Sequence, residues 1–246
     1  MQKEILVLAK SYKTGGFCIV GVEVDKGTDG QRRLTRRWIR PVSRQNGTTS
    51  GSIPSVACSN FSVFDLIGID LEKHQPMAGQ PENWQWLESA IHTLAPKPDR
   101  RVLHQLANCS AAIWHDPSTA RDDQISAPHT ISMGIEHSLM LIAPQNLVFS
   151  LELQRFGNEV RKRIFVSFTH NGQTYRRIAV TDPAIFRVFT NQFPIAIGAC
   201  ARKRLHHGDN YWLTLSLSPC FGKTPCHYII AAAVIDHTGY LNRTYG

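Results

Sequence analysis

The chain has 246 residues, 42% of them hydrophobic and 19% charged, with a formal net charge of +8 at pH 7. Such apolar content supports a packed core and excludes wholesale disorder, while the length accommodates one large domain or two of ordinary size. The positive balance favours an anionic partner, and no run of about eighteen apolar residues is present to build a membrane-spanning helix.

The opening residues, Met1 to Leu8, read as charge followed by a short strand, without the apolar core and cleavage site of a signal peptide. A cytoplasmic location follows as the expectation. Cysteines at 18, 58, 109, 200, 220 and 226 form no C-x-x-C pair, so reduced thiols are expected. Cys220, Cys226 and His227, with His206 and His207 upstream, do not fall at a recognisable ligand spacing, and neither a metal nor another cofactor is expected.

In chain order, Ile5 to Ala9 and Phe17 to Val24 read as strands joined across Gly15-Gly16. The glycine pair is turn chemistry: a phosphate loop needs G-x-x-x-x-G-K-[ST] and a helix after it, and a strand follows instead. Gln31 to Arg44 is the most basic stretch, with six arginines, no acid and one indole. Guanidinium groups pair with phosphate and stack on bases, which makes Arg33, Arg36, Arg37, Trp38 and Arg40 candidate contacts for nucleic acid. The competing account is a strand whose Trp38 is core and whose arginines coat a solvated face.

Residues 45 to 60 read as a loop and Phe61 to Leu71 as a strand. From Pro81 the spacing of Trp84, Leu87, Ala90, Ile91 and Leu94 predicts a helix that ends before Pro96 and Pro98, with Trp84 and Trp86 as packing anchors. Val102 to Leu106 and Ile131 to Ile142 read as short strands or a helix turn, and Asp116 to Asp123 as an exposed loop.

The segment from Asn146 to Asp236 is the clearest. Leu147 to Leu153, Arg161 to Thr169 and Thr174 to Val180 are strand-like, and His170-Asn171-Gly172-Gln173 supplies the positive φ of a tight hairpin. Asp182-Pro183 caps a short helix carrying Ile185, Phe186, Val188 and Phe189. Tyr211 to Leu217 and His227 to Ile235 close the segment as two more strands. Three strands, a helix and two strands is the element order of the OB-fold, a five-stranded barrel that binds oligonucleotides across strands two and three. The expected architecture is mainly β with short helices: a first domain at residues 1–108, a connector at 109–144 and an OB-fold-like five-stranded barrel at 145–246.

On the second barrel the expected binding face takes Arg161, Arg163 and Phe165 from strand two, and Tyr175 and Arg177 from strand three. Arg155 and Phe156 lie in the first loop, Phe221 and Lys223 in the last, and Arg202 and Lys203 in a basic segment before strand four. A one-residue slip of either strand would exchange the faces. Neither G-x-S-x-G, H-E-x-x-H nor a Rossmann glycine pattern is present. The carboxylates Asp65, Asp70, Glu72 and Asp122-Asp123 show no catalytic spacing, and no catalytic residue is assigned.

Five separated segments, Ile5 to Lys13, Trp38 to Ser43, Gln80 to Trp84, Val180 to Pro183 and Leu213 to Leu217, resemble the bacterial dual OB-containing domain family over nearly the whole chain. The resemblance implies two OB-like barrels and a nucleic-acid-binding or sensing role in bacterial defence or mobile-element settings, with DNA or RNA as the partner and a protein of the same system as a second one. It implies no catalytic residues. The alternatives left open are a protein-interaction or sensor module and a small metal-dependent nuclease.

Overall fold

The structure is a computed structural model that describes residues 1–45, 48–50, 52–107, 112–205, 210–220 and 225–241. The first half contributes β1 (Gln2–Lys13), β2 (Gly16–Lys26), β3 (Arg32–Gln45), β4 (Thr48–Ser50), a 3-10 turn at Ser55–Cys58, β5 (Leu66–His74), β6 (Asn83–Trp86) and β7 (His92–Leu94). After α1 (Val102–Ala107), β8 (Gln124–Ser126), α2 (Ala127–Ser132) and β9 (Leu139–Ile142) comes a second group: β10 (Gln145–Phe156), β11 (Glu159–His170), β12 (Gln173–Val180), α3 (Pro183–Val188), β13 (Cys200–Lys203), β14 (Tyr211–Leu217) and β15 (Cys226–Asp236).

The first sheet runs β1-β2-β3-β6-β5, and β5 pairs back onto β1, so five strands close into a barrel. Strands β3 and β6 pair in parallel. The second sheet runs β13-β10-β11-β12-β15-β14-β9, with β12 and β15 as the matching parallel pair. Ala143-Pro144 separates β9 from β10. Proline has no N–H to give to a ladder, so one bent run of chain pairs with β14 before the break and with β11 after it. These are two OB barrels: the second follows the element order read from 146–236, and the first is the one the family resemblance implied. β8 and β9 are hydrogen-bonded into the second sheet, against β15 and β14.

Alternation along β1 explains why Ile5 to Ala9 is an unbroken apolar run. Ile5 and Val7 face the interior of barrel one with Ile19, Ile39, Ile67 and Ile69. Leu6 and Leu8 face outward with Val20, Val22 and Leu66, and meet Leu139, Leu141, Trp212, Ala233 and Ile235 from the other half. A strand buried on both faces has no reason to alternate with polar residues. A third cluster, including Phe149, Leu151, Ile164, Val166, Phe168, Ile178, Leu213, Leu215 and Ile229, fills barrel two. Polar bonds also cross between the halves: Tyr12 N donates to Thr181 O at 2.8 Å and Gln80 Nε2 to Leu217 O at 3.1 Å.

Two local signals perform as read. Asn171 (φ 50°) and Gly172 (φ 77°) both take positive φ in the β11–β12 hairpin. Asp182 caps α3 by accepting from Ala184 N at 2.8 Å, and its other oxygen accepts from Val234 N at 2.7 Å.

Four readings are corrected. The helix expected from Pro81 is absent: Asn83 to Gln85 lie parallel to Arg40 to Val42, and Trp86 and Trp84 pair with Leu71 and His74. This segment closes barrel one, and ladder bonds with side-chain burial outweigh a helical spacing worth only tenths of a kcal/mol per residue. The run from Phe61 becomes a strand only at Leu66, because Phe64 adopts φ 70° and the Asp65 carboxylate accepts from Ser62 N. Residues 45–60 are not only loop, since β4 and the 3-10 turn lie within them. The segment Asp116 to Asp123 is not uniformly exposed either. Asp116 is buried, accepting from N–H and O–H of both Ser118 and Ser126. Burial alone would raise its carboxyl pKa, and those four bonds outweigh it and hold the group well below the usual carboxylate range.

Candidate nucleic-acid interface

The outer face of β10, β11 and β12 gathers most of the basic and aromatic residues singled out on barrel two. Because Ile164, Val166 and Phe168 point inward, Arg161, Arg163, Phe165 and Ser167 point outward. Cross-strand register aligns Ser150 with both Phe165 and Arg202, and Glu152 with Arg163 and Cys200. Arg202 is therefore in the same row as Phe165.

Strand β12 departs from simple alternation, and the departure builds the site. Pairing shifts between Val166 and Phe168, where Tyr175 lies opposite Phe168 and Ile178 opposite Val166, so Arg176 and Arg177 together oppose Ser167. Arg177 absorbs the extra residue at φ 58°, the kind of bulge that redirects a side chain. Tyr175 then points inward, 3% exposed and stacked on Phe168 at 5.4 Å, while Arg176 and Arg177 both project outward.

Side chains on this face form an alternating ladder of guanidinium and aromatic groups. Arg161 and Arg163 lie 5.6 and 5.9 Å from the centroid of Phe156, and Arg163 and Arg177 lie 5.6 and 4.3 Å from that of Phe165. Phe165 is only 7% exposed although it faces outward, because two guanidinium groups cover it. Arg155 and Phe156, expected in the first loop, instead end β10, paired with Val160 and Glu159, and Phe156 is 45% exposed. A cleft of about 600 Å³ lies over the ladder, lined by Arg121, Asp122, Asp123, Gln154, Arg163, Phe165, Arg176 and Arg177.

Internal carboxylates hold several of these cations in place. Arg177 pairs with Glu152, Arg161 with Glu159 at 2.7 Å, and Arg121 with Asp123 at 2.7 Å. The Arg177 bond draws the Glu152 carboxyl below its ordinary value. Arg163 has no carboxylate within ion-pair distance among the described residues, and burial followed by repulsion from Arg161 lowers its pKa. A guanidinium remains charged after any such shift, so Arg163 is a cation on a stacking face with no salt bridge among the described residues, attracted only more distantly by Glu152 opposite it.

The first-barrel candidates are dispersed. Arg33 pairs with Asp29, and Arg37 with Glu23 and Asp25. Arg36 is exposed, and Trp38 is half-buried against the core between the barrels. Arg40 cannot reach a ligand: it is 1% exposed, and Nη2 donates to Ser138 Oγ at 3.1 Å and Ser216 Oγ at 3.0 Å. Its neighbours lie within the middle of β3, and Ser138 and Ser216 of the other half cover Arg40 there. Tyr175 is likewise interior. Lys203 lies on edge strand β13 opposite Phe149, half-buried, whereas its neighbour Arg202 is exposed. Phe221 and Lys223 lie outside the described residues. Glu152, Gln154, Arg121 and Arg176 join the face without having been singled out for it. Glu152 and Arg177 are 25 positions apart, and no local pattern announces such a pair.

The dual OB-containing domain family matches residues 3–234. The chain belongs to the dual OB-containing domain family. No curated protein matches this dual-OB chain. A solved structure of a murine DNA binding protein bound with double-stranded DNA aligns over 96% of this chain and 98% of its own, at 8% identity and a TM-score of 0.26. Among the described residues no helix is long and apolar enough to cross a membrane.

Proposed function

We propose that this dual-OB protein binds single-stranded nucleic acid across the outer face of β10, β11 and β12. The observation that carries the reading is the ladder Arg161–Phe156–Arg163–Phe165–Arg177. Guanidinium groups neutralise phosphates, and aromatic faces stack bases irrespective of sequence, at about 1–3 kcal/mol per base. Phosphates of an incoming strand replace Glu152 and Glu159 as partners of Arg177 and Arg161. A base reaching Phe165 displaces one of the two guanidinium groups that cover it. Membership of the dual OB family supports the same reading, since OB barrels present this face to oligonucleotides.

The test is fluorescence anisotropy with single- and double-stranded DNA and RNA at two salt concentrations. Affinity for single strands is expected to fall with a log–log salt slope of about −3, if roughly four phosphates are neutralised. Replacing Arg161, Arg163 and Arg177 together by alanine is expected to weaken binding by about a hundredfold or more. No salt-sensitive binding to any of the four ligands would overturn the proposal.

A further inference from the structure

A second cleft, of about 660 Å³, lies where the mouth of barrel one meets the segment before β9. From this geometry we infer that it is a binding site for a nucleoside phosphate, with the base against the indoles of Trp38 and Trp84 and the phosphate at Arg36. The inference does not rest on the interface of barrel two.

Three features converge on it. The first is aromatic: Trp38 and Trp84 both line the cleft and are half-buried. Lys3 Nζ sits 4.5 Å over Trp84, and the His74 ring lies 5.0 Å from it. Indole faces stack purines and pyrimidines, and at Trp84 a base takes the place of Lys3 or His74. The volume falls within the range of small-ligand pockets, about 300–1,000 Å³.

The second is a bulge that delivers a cation. Pairing between β2 and β3 passes from Val24↔Leu34 to Val22↔Trp38, so Thr35, Arg36 and Arg37 oppose Glu23 alone. Thr35 Oγ1 donates to Glu23 O at 3.0 Å and accepts from Arg37 N at 3.1 Å, which fixes the bulge. Arg36 takes φ 65°, a conformation unfavourable for a side chain with a Cβ and found preferentially at functional sites.

The third is the charge left over. Arg37 is spent on Glu23 and Asp25, and Lys3 on Glu23. Arg36 has no carboxylate partner among the described residues, lines the cleft and is exposed. A strained arginine beside two indoles suits a ligand that is planar at one end and anionic at the other. Such chemistry comes from a free nucleotide or from the phosphorylated end of a strand.

Calorimetric titration of the whole chain tests the site, with nucleoside 5′-monophosphates, nucleosides, inorganic phosphate and a 5′-phosphorylated dinucleotide. The monophosphates are expected to bind at least about tenfold more tightly than nucleoside or phosphate alone, since both halves of the site must be used. Arg36→Gly, which suits the backbone at this φ and so keeps the fold, is expected to lose about tenfold. The triple alanine variant of the β11–β12 face is expected to bind monophosphates as the parent does, so this site and that interface can fail separately. Tight binding of the dinucleotide with weak monophosphate binding, lost in Arg36→Gly, assigns the site to strand ends. Three results overturn the inference: no saturation by either ligand, undiminished affinity in Arg36→Gly, or an equal loss in the triple alanine variant.

Discussion

Arg40 and Arg163 belong to basic stretches that look alike in sequence, yet they do opposite work. Arg40 is sealed between the barrels and shares Nη2 between two serine hydroxyls, while Arg163 lies on a surface ladder between two phenylalanines. Arg40→Ala removes a buried stem and strands the polar groups around it. It is expected to cost about 2–4 kcal/mol in urea unfolding, with affinity for single strands unchanged. Phe156→Ala inverts that outcome. The ring is 45% exposed, so stability should stay within about 0.5 kcal/mol while anisotropy reports a loss of about 1–3 kcal/mol in binding. Both measurements on both variants separate a structural arginine from a ligand-facing aromatic.

At the scale of elements, bulges decide what the strands present. On β12 the extra residue sends Tyr175 inward and Arg177 outward, although two positions apart in a regular strand would share a face. On β3 the same device lifts Arg36 and Arg37 out of the ladder. Strand β15 ends in a different device, a carboxylate that organises the turn after it. Asp236 accepts from Thr238 Oγ1, from Tyr240 N at 2.9 Å and from Leu241 N at 3.0 Å. Burial pushes its carboxyl pKa up, but these bonds prevail and leave it below its ordinary value of 3.8. A depressed folded pKa means the stabilisation is fully present above the ordinary value and is lost as pH falls through the lower folded one. Unfolding free energy should therefore drop on acidification below about pH 4, with a shallower pH dependence in Asp236→Asn. An identical slope in parent and variant would remove Asp236 from the acid transition.

For the molecule as a whole, the apolar cluster between the barrels is decisive. Leu6, Leu8, Val20 and Val22 from one half and Leu141, Trp212, Ala233 and Ile235 from the other form one core. Each such side chain contributes about 1.5–3 kcal/mol when fully buried, so neither barrel keeps its stability once the other is gone. Urea unfolding followed by tryptophan fluorescence and by far-ultraviolet circular dichroism is expected to give one coincident transition. Two separated transitions would show that the barrels are energetically independent.

The element order of the second barrel was legible in sequence because it rests on short-range chemistry, whereas the OB architecture of the first half followed from the family resemblance. Asn171-Gly172 makes a hairpin wherever it lies between two strand-like runs, and Asp182-Pro183 starts a helix by capping its own amides. The grouping of Arg161, Arg163 and Phe165 on one face was legible for the same reason, since a regular strand alternates with period two. What lay beyond local pattern was whatever depends on a distant partner. The segment around Trp84 is a strand only because β3 and β5 hydrogen-bond to it. Arg40 is interior only because the second barrel packs over its strand. The bulges that turn Tyr175 inward and Arg36 outward arise from pairing register, a relation between two strands that neither strand encodes alone.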